Sequence, residues 1–308
     1  MEKFKKILSP AILFVAAMLW GFAFSAQDAA SSVPPFTLGA ARSILASGFI
    51  LMLIPIFDKA KGSGRRLISK RGIDFNKFEL ISGTICGVTL AVASFFQQEG
   101  INQGTDAGKA AFITALYVVL VPVYALALKK RSPIRVWISV AIAIVGFYFL
   151  CIDGELHIAK SDVFVLLCAI VFPVQILAID SFTDRCDGVR MSAIQFISAS
   201  IVNLILALTL ESPIAFAEIG NAIGAILFLG IVSSGIAYTM QIIGQKGTNP
   251  AVASVIMSLE SVFGVIGSAI FLKQTLSLRE YLGAAIVFAA VILSELDLKA
   301  IFKKKKSE

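Results

Sequence analysis

Long apolar stretches recur along almost the whole chain and restrict what it can fold into. A helix needs about 20 apolar residues to cross roughly 30 Å of hydrocarbon. Because 57% of the 308 residues are hydrophobic and 15% are charged, the polar surface is too small to cover a water-soluble globule of this size. The sequence therefore predicts a multi-pass membrane protein. The ten predicted spans are residues 10–27, 36–57, 78–98, 107–128, 134–151, 162–179, 192–210, 219–242, 250–272 and 278–296.

These spans are predicted to be helices and not the strands of a barrel. Residues 141–150 and 163–171 are apolar on every side and lack the period-two alternation of a transmembrane strand. The sequence thus predicts an all-α integral membrane protein.

Positive charge follows the connections between the spans. Both tails and the connections after the second, fourth, sixth and eighth spans hold most of the 27 Lys and Arg residues, whereas residues 28–35 and 99–106 hold none. The positive-inside rule then places both termini in the cytoplasm and the chain in the inner (plasma) membrane. The net charge of +7 is attributed to this topology and not to nucleic-acid binding. The tail 299–308 is predicted to be a basic, solvated cytoplasmic end.

The sequence repeats itself at a distance of 143 positions. This shift aligns Gln98 with Gln241 and Ala110 with Ala253. The two halves, residues 1–152 and 153–298, hold five spans each, and an odd number makes the second half enter the membrane from the opposite side. Such an inverted repeat predicts alternating access, with a substrate near the bilayer midplane between the halves. A duplication kept only for packing is the alternative.

Several motifs resemble the EamA-type branch of the drug/metabolite transporter superfamily. The motifs are Leu19-Trp20-Gly21, Pro35-x-x-x-x-Ala40-Ala41-Arg42, Phe95-x-Gln97-Gln98-x-Gly100, residues 105–122 (TDAGKAAFITALYVVLVP) and residues 258–263 (SLESVF). The resemblance implies ten helices and export of a small organic solute. Amino acids, their derivatives, metabolites and toxic organic compounds are among the family's cargoes. Phe172-Pro173 stands where the Trp20-Gly21 pair would recur, so the sixth span is expected to bend differently.

Glu260 is the leading candidate for the transport site. About ten residues, or roughly 15 Å of helix, separate it from the start of its span, which places a carboxyl near mid-bilayer. Because a charged side chain is costly against lipid, Glu260 is expected to face the bundle interior. There it is a candidate for proton coupling, and the alternative is a carboxyl that only bonds neighbouring helices. The repeat places Tyr117 at the equivalent position of the fourth span.

Polar and aromatic side chains within the apolar spans are expected to complete a cavity for an uncharged or zwitterionic organic solute. Arg42 and Lys109 are expected to have structural roles, as snorkelling cations or members of ion pairs. Two cations are too few for a phosphorylated substrate. Besides Glu260 and Tyr117, the predicted substrate-binding residues are Trp20, Gln97, Gln98, Gln175, Tyr238 and Gln241.

Proline and glycine mark places where helices bend or approach each other. Pro122 and Pro173 fall well inside spans, where each removes a helical hydrogen bond, and we predict that they act as hinges. The Gly-x-x-x-Gly pairs at 83–87 and 220–224 are expected to let helices approach closely.

The sequence argues against an enzyme. His157 is the only histidine, which excludes a multi-histidine metal centre and leaves no convincing Ser–His pair. The four cysteines are scattered, so neither a metal site nor a disulfide framework is indicated, and no cofactor is implied. An importer of the same solutes, an intramembrane enzyme and a membrane-bound sensor are the alternatives. The substrate, the coupling ion and the choice between monomer and homodimer stay open.

Overall fold

The computed structural model is a bundle of helices. It describes residues 2–60, 62, 67–69, 72–151, 159–214, 216–272 and 277–295, so the predicted tail at 299–308 and His157 lie outside the described residues. The helices are α1 Glu2–Ala29, α2 Pro35–Ala60, α3 Lys77–Asn102, α4 Ala107–Ala115, α5 Tyr117–Ala127, α6 Ile134–Cys151, α7 Lys160–Phe182, α8 Gly188–Leu210, α9 Phe216–Asn221, α10 Ile223–Leu227, α11 Tyr238–Gln245, α12 Pro250–Met257, α13 Glu260–Leu272 and α14 Leu278–Glu295.

These helices form the spans that the sequence predicted. Within the described residues, eight stretches are long and apolar enough to cross a membrane, and α6 and α14, of 18 residues each, add two more helices. The fourth span is α4 with α5, and the ninth is α12 with α13. The eighth runs from α10 through a π-helical segment, Phe228–Ala237, into α11. The prediction of an all-helical membrane protein is confirmed.

Two details differ from the expected pattern. The eighth span was predicted at 219–242 but covers Ile223–Gln245, because α9 is a separate short helix that precedes it. The basic connection between α2 and α3 contains a small antiparallel hairpin, in which β1 (Ile68–Ser69) pairs with β2 (Gly72–Ile73).

Polar residues define where several helices begin. Asn76 and Glu79 form a capping box at the start of α3, in which each side chain accepts from the other residue's backbone N–H, at 2.7 and 3.0 Å. Asp106 caps α4 by accepting from the Lys109 backbone N–H at 2.8 Å. Such caps satisfy N–H groups that have no partner within the helix.

The two halves pack through helices that hold equivalent positions. α2 packs on α8, and α6 packs on α14; these are the second and the fifth helices of each half. Contacts of α1 with α13 and of α3 with α7 complete the interface. Two five-helix repeats therefore build one bundle, and the space at its centre is bordered by both.

Charged groups join α2 and α8 at both ends. At one end Arg190 Nη1 and Nη2 donate to the two carboxylate oxygens of Asp58 at 2.7 and 2.8 Å, and both residues are buried. At the other end the Glu211 carboxylate accepts from the backbone N–H groups of Phe36 and Thr37 at 2.8 and 2.7 Å. The pair of helices thus links the repeats along its full length.

One of the two expected glycine contacts exists. A Cβ added at Gly83 or Gly87 would collide with α8, so these glycines permit close packing of α3 on α8. A Cβ at Gly220 or Gly224 would meet nothing within 4 Å. The close approach expected of the second pair is therefore wrong.

Candidate functional site

Tyr117 and Glu260 lie beside matching breaks in two helices. The fourth span breaks at Leu116, between α4 and α5, and the ninth breaks at Leu259, between α12 and α13. The repeat aligns these two leucines. Tyr117 is the first residue of α5 and Glu260 is the first residue of α13, so the break and the polar side chain are duplicated together.

Each break is a tightened turn. The Leu116 N–H donates to the Ile113 carbonyl at 3.2 Å, and the Leu259 N–H donates to the Ile256 carbonyl at the same distance. These bonds span three residues, as in a 3₁₀-helix. Discontinuous helices at a repeat interface are where secondary transporters place substrate and ion sites.

The two prolines predicted as hinges lie inside continuous helices. Pro122 belongs to α5 and Pro173 belongs to α7, and neither helix ends at its proline. Since proline has no N–H, the Val118 carbonyl lacks its usual helical donor. The break at Leu116 and Pro122 therefore weaken the same stretch of the fourth span.

A central cavity lies beside the breaks, with about 430 Å³ of empty volume that includes space open to solvent. Its walls come from both repeats. Six of the predicted substrate-binding residues line it, namely Trp20, Gln97, Tyr117, Tyr238, Gln241 and Glu260. The other lining residues are Ala23, Phe24, Gln27, Arg42, Phe172, Ile176, Ser233 and Met257.

Glu260 and Tyr117 keep unused hydrogen-bonding capacity. Glu260 is 5% exposed, and neither its Oε1 nor the Tyr117 hydroxyl forms a hydrogen bond to the described residues. The two groups are nevertheless close enough to interact. Because buried polar atoms normally have partners, this pair is available to a ligand in the cavity.

Aromatic rings form one wall of the cavity. The ring centroids of Trp20 and Tyr238 are 4.6 Å apart, and the Phe196 ring packs edge-on against Tyr238 at 5.7 Å. Phe172 approaches Tyr117 at 6.4 Å. Such rings offer apolar area, and their faces attract cations.

The π-helical segment of the eighth span contributes polar groups that the sequence did not single out. The Trp20 Nε1–H donates to the Ser233 carbonyl at 3.3 Å, and Arg42 Nε donates to Ser234 Oγ at 3.0 Å. π-Helical turns are frequent at functional sites. The sequence does not reveal a π-helical turn, because the same apolar residues could equally form an α-helix.

The paired glutamines Gln97 and Gln98 face different spaces. Gln97 Nε2 donates to Thr114 Oγ1 at 3.0 Å, and its oxygen accepts from Gln27 Nε2 at 2.9 Å. Gln98 lines a neighbouring pocket and donates to the Gln27 carbonyl and to Asn102 Oδ1. Gln97 therefore belongs to the central cavity, whereas Gln98 supports its edge.

Gln175 lies behind the cavity wall. It is fully buried, and its Nε2 donates to Gln241 Oε1 and to Gln195 Oε1, both at 3.4 Å. Gln241 in turn lines the cavity. Gln175 thus reaches the site through Gln241 and does not border it.

The two cations expected to be structural differ in their surroundings. Lys109 Nζ lies 2.6 Å from an oxygen of Asp162, whose other oxygen accepts from Thr105 Oγ1 at 2.9 Å. Arg42 lines the cavity, donates to Ser234, and has no carboxylate partner among the described residues. Lys109 thus has the ion pair expected of it, whereas Arg42 is placed like a site residue.

Some residues in the cavity wall or bonded to it had a weak signal in the sequence. Gln27 ends the first predicted span, where a polar residue is expected at a membrane interface. Thr114 precedes Tyr117 by one helical turn. Once Tyr117 was predicted to bind substrate, Thr114 could therefore be expected on the same face of the fourth span. Ser233 had no distinctive signal, since serines are common where helices pack in membranes. In the part of the chain that the structure describes, no group of three His, Cys, Asp or Glu side chains could hold a metal ion.

Comparisons with known proteins agree with this architecture. Residues 8–152 and 159–296 each match the EamA-like transporter family. An uncharacterized transporter of Archaeoglobus fulgidus is 28% identical over 301 residues, which cover 96% of this chain and 88% of that protein. A solved crystal structure of 18% identity has a TM-score of 0.74 and covers 94% of this chain and 98% of its own, a likeness of fold alone. Since the family matches span nearly the whole sequence, one in each repeat, the chain belongs to the EamA-like transporter family.

Proposed function

We propose that this membrane transporter exports a small organic metabolite, such as an amino acid or a related amphipathic compound, by alternating access. The observation that carries the proposal is the cavity between the repeats. Its lining combines aromatic rings, amides, a carboxyl at Glu260 and a cation at Arg42. This combination suits a solute with an apolar body and few charged groups.

Alternating access is supported by the paired helix breaks. Each repeat has a helix break beside the cavity, at Leu116 and at Leu259. Exchange of the two bent shapes between the halves would close the cavity at one end and open it at the other. Pro122 and Pro173 are the proposed hinges that ease this exchange.

Glu260 is the proposed proton carrier. Its carboxyl is buried at the cavity wall beside Tyr117, where it can exchange a proton with whichever side the cavity faces. Uptake of a proton from outside and its release inside would drive a solute outward. The distribution of Lys and Arg supports an inner-membrane protein with both termini in the cytoplasm.

Flux measurements test the proposal. Metabolites are compared in the medium of cells with and without the protein, and compounds that differ are then tested with purified protein in liposomes. Export predicts accumulation in the medium and flux that depends on a proton gradient. Depletion from the medium would support uptake instead. Liposomes that move none of the candidates would contradict transport of this solute class.

A further inference from the structure

We propose that Arg42 binds a carboxylate group of the transported solute. The inference rests on the proposed function and deepens it, because it assigns a ligand group to one side chain. It also replaces the structural role that the sequence suggested for Arg42 with a binding role.

Arg42 is a buried cation with no opposite charge beside it among the residues that the structure describes. It is 8% exposed, and its partners are two hydroxyls, with Nε 3.0 Å from Ser234 Oγ and Nη2 3.5 Å from Ser233 Oγ. A guanidinium keeps its charge in proteins, and a buried charge is unfavourable unless an opposite charge compensates it. Arg190 shows the compensated case, since it is buried and bound at both Nη atoms by Asp58.

The unused donors of Arg42 border open space. Nη1 forms no hydrogen bond to the described residues, and it is not among the sealed polar atoms that lack a partner. The side chain borders the central cavity and two smaller spaces that adjoin it. A guanidinium carries five N–H donors, so most of them are available to a ligand.

The same cavity holds the opposite charge at a separate place. Glu260 lines it with one oxygen unpartnered, and Glu260 and Arg42 form no ion pair with each other. Tyr238 lines the same cavity, and its ring centroid lies 4.6 Å from that of Trp20, so the cavity offers aromatic rings together with the two charges. A zwitterion completes this arrangement, with its carboxylate at Arg42 and its ammonium at Glu260 and the aromatic faces.

The charge count favours a carboxylate over a phosphate. Arg42 is the cation among the described residues that line the central cavity, and Lys109 is already paired with Asp162. A singly charged, planar carboxylate matches the fork of one guanidinium. A phosphate group carries more charge and would need further Lys or Arg donors.

Binding of matched ligands tests the assignment. Purified protein in detergent is titrated with the twenty common amino acids, and then with the amide and the decarboxylated amine of the amino acid that binds most tightly. We expect both analogues to bind about tenfold more weakly, or worse, because a charge-assisted hydrogen bond is lost. Arg42→Gln should weaken binding of the amino acid by a similar factor and leave binding of its amide nearly unchanged. Arg42→Lys keeps the positive charge but not the paired N–H donors of the guanidinium. It should therefore bind the amino acid more tightly than Arg42→Gln and less tightly than the parent protein.

Arg185→Gln is the matched control, since Arg185 is exposed and lies outside the cavity. It should bind both ligands like the parent protein. If Arg42→Gln does not fold, the parent's preference for the acid over its amide decides the test. Equal binding of acid and amide, binding of none of the twenty, or a preference that survives Arg42→Gln would overturn the assignment. Acid preference in detergent without flux in liposomes would defeat the proposed export and leave the role of Arg42 standing.

Discussion

At the scale of single residues, the contacts of Glu260 favour transport over packing. A carboxyl that serves packing accepts hydrogen bonds from neighbouring helices. Asp162 does so, with bonds from Thr105 Oγ1 and the Ala159 backbone N–H and an ion pair with Lys109. Oε1 of Glu260 accepts none from the described residues, although it is buried. The two carboxyls therefore offer an internal comparison.

We predict that Glu260→Gln folds normally and loses either solute binding or the pH dependence of transport, because glutamine has nearly the same volume but cannot ionise. Tyr117→Phe deletes one hydroxyl, so it should weaken binding only about threefold to tenfold. Ligand titration in detergent and liposome flux over a range of pH measure these effects.

Asp162→Asn serves as the comparison for a packing carboxyl. It should lower the unfolding temperature, since Lys109 loses its partner, while flux persists. Reduced stability with residual flux in Glu260→Gln would show that Glu260, like Asp162, serves packing. A Glu260→Gln protein with the parent rate and the parent pH profile would show that the site assignment is wrong.

At the scale of helices, the two repeats share their breaks but not their prolines. Leu116 and Leu259 are aligned by the repeat, whereas Pro122 aligns with Val265. The fourth span thus has both a 3₁₀ turn and a missing hydrogen bond, and the ninth has the turn alone. The proposed hinge in the first half should be the easier one to bend.

We predict that Pro122→Ala and Pro173→Ala slow transport more than they weaken binding. Alanine restores a helical N–H, and a straighter helix shifts the balance between open states without removing a ligand contact. Pro55→Ala, in an exposed position of α2, is the control and should behave like the parent. Dissociation constants and initial rates of flux separate the two effects. Unchanged flux in both variants would remove these prolines from the mechanism.

At the scale of the whole molecule, the repeats depend on a few long-range polar contacts. We predict that Arg190→Gln lowers the free energy of unfolding by about 3–5 kcal/mol, because it leaves the buried Asp58 carboxylate without its partner. Joint replacement by Arg190→Met and Asp58→Leu should recover most of that loss, since neither charge then stays buried alone. Chemical unfolding in detergent measures both variants. Equal loss in the single and the joint variant would mean that the pair itself, and not the orphaned charge, sets the stability.

We predict that both termini lie in the cytoplasm and that the two halves have opposite orientations in the membrane. Reporters fused after Lys77, Arg131 and Lys306 should report the cytoplasm, and reporters within residues 31–34 and 153–157 should report the opposite side. The basis is the bias of Lys and Arg together with five spans in each half. A cytoplasmic signal from 153–157 would contradict the inverted arrangement.

Much of this architecture follows from the amino-acid pattern alone. The bilayer requires long apolar helices, so the spans could be located from composition, with boundary errors of a few residues. The repeat aligned Tyr117 with Glu260, and most of the predicted binding residues line the cavity. These features are local or periodic, and a linear sequence records both.

Other features depend on contacts between helices that are distant in the sequence. Arg42 meets Ser234 across 192 positions and Arg190 meets Asp58 across 132, and no local pattern indicates which helices will adjoin. For that reason the sequence assigned Arg42 a structural role. The helix breaks and the π-helical segment were missed because apolar residues satisfy several helical hydrogen-bond patterns equally well. In an apolar span, packing against neighbouring helices selects among those patterns.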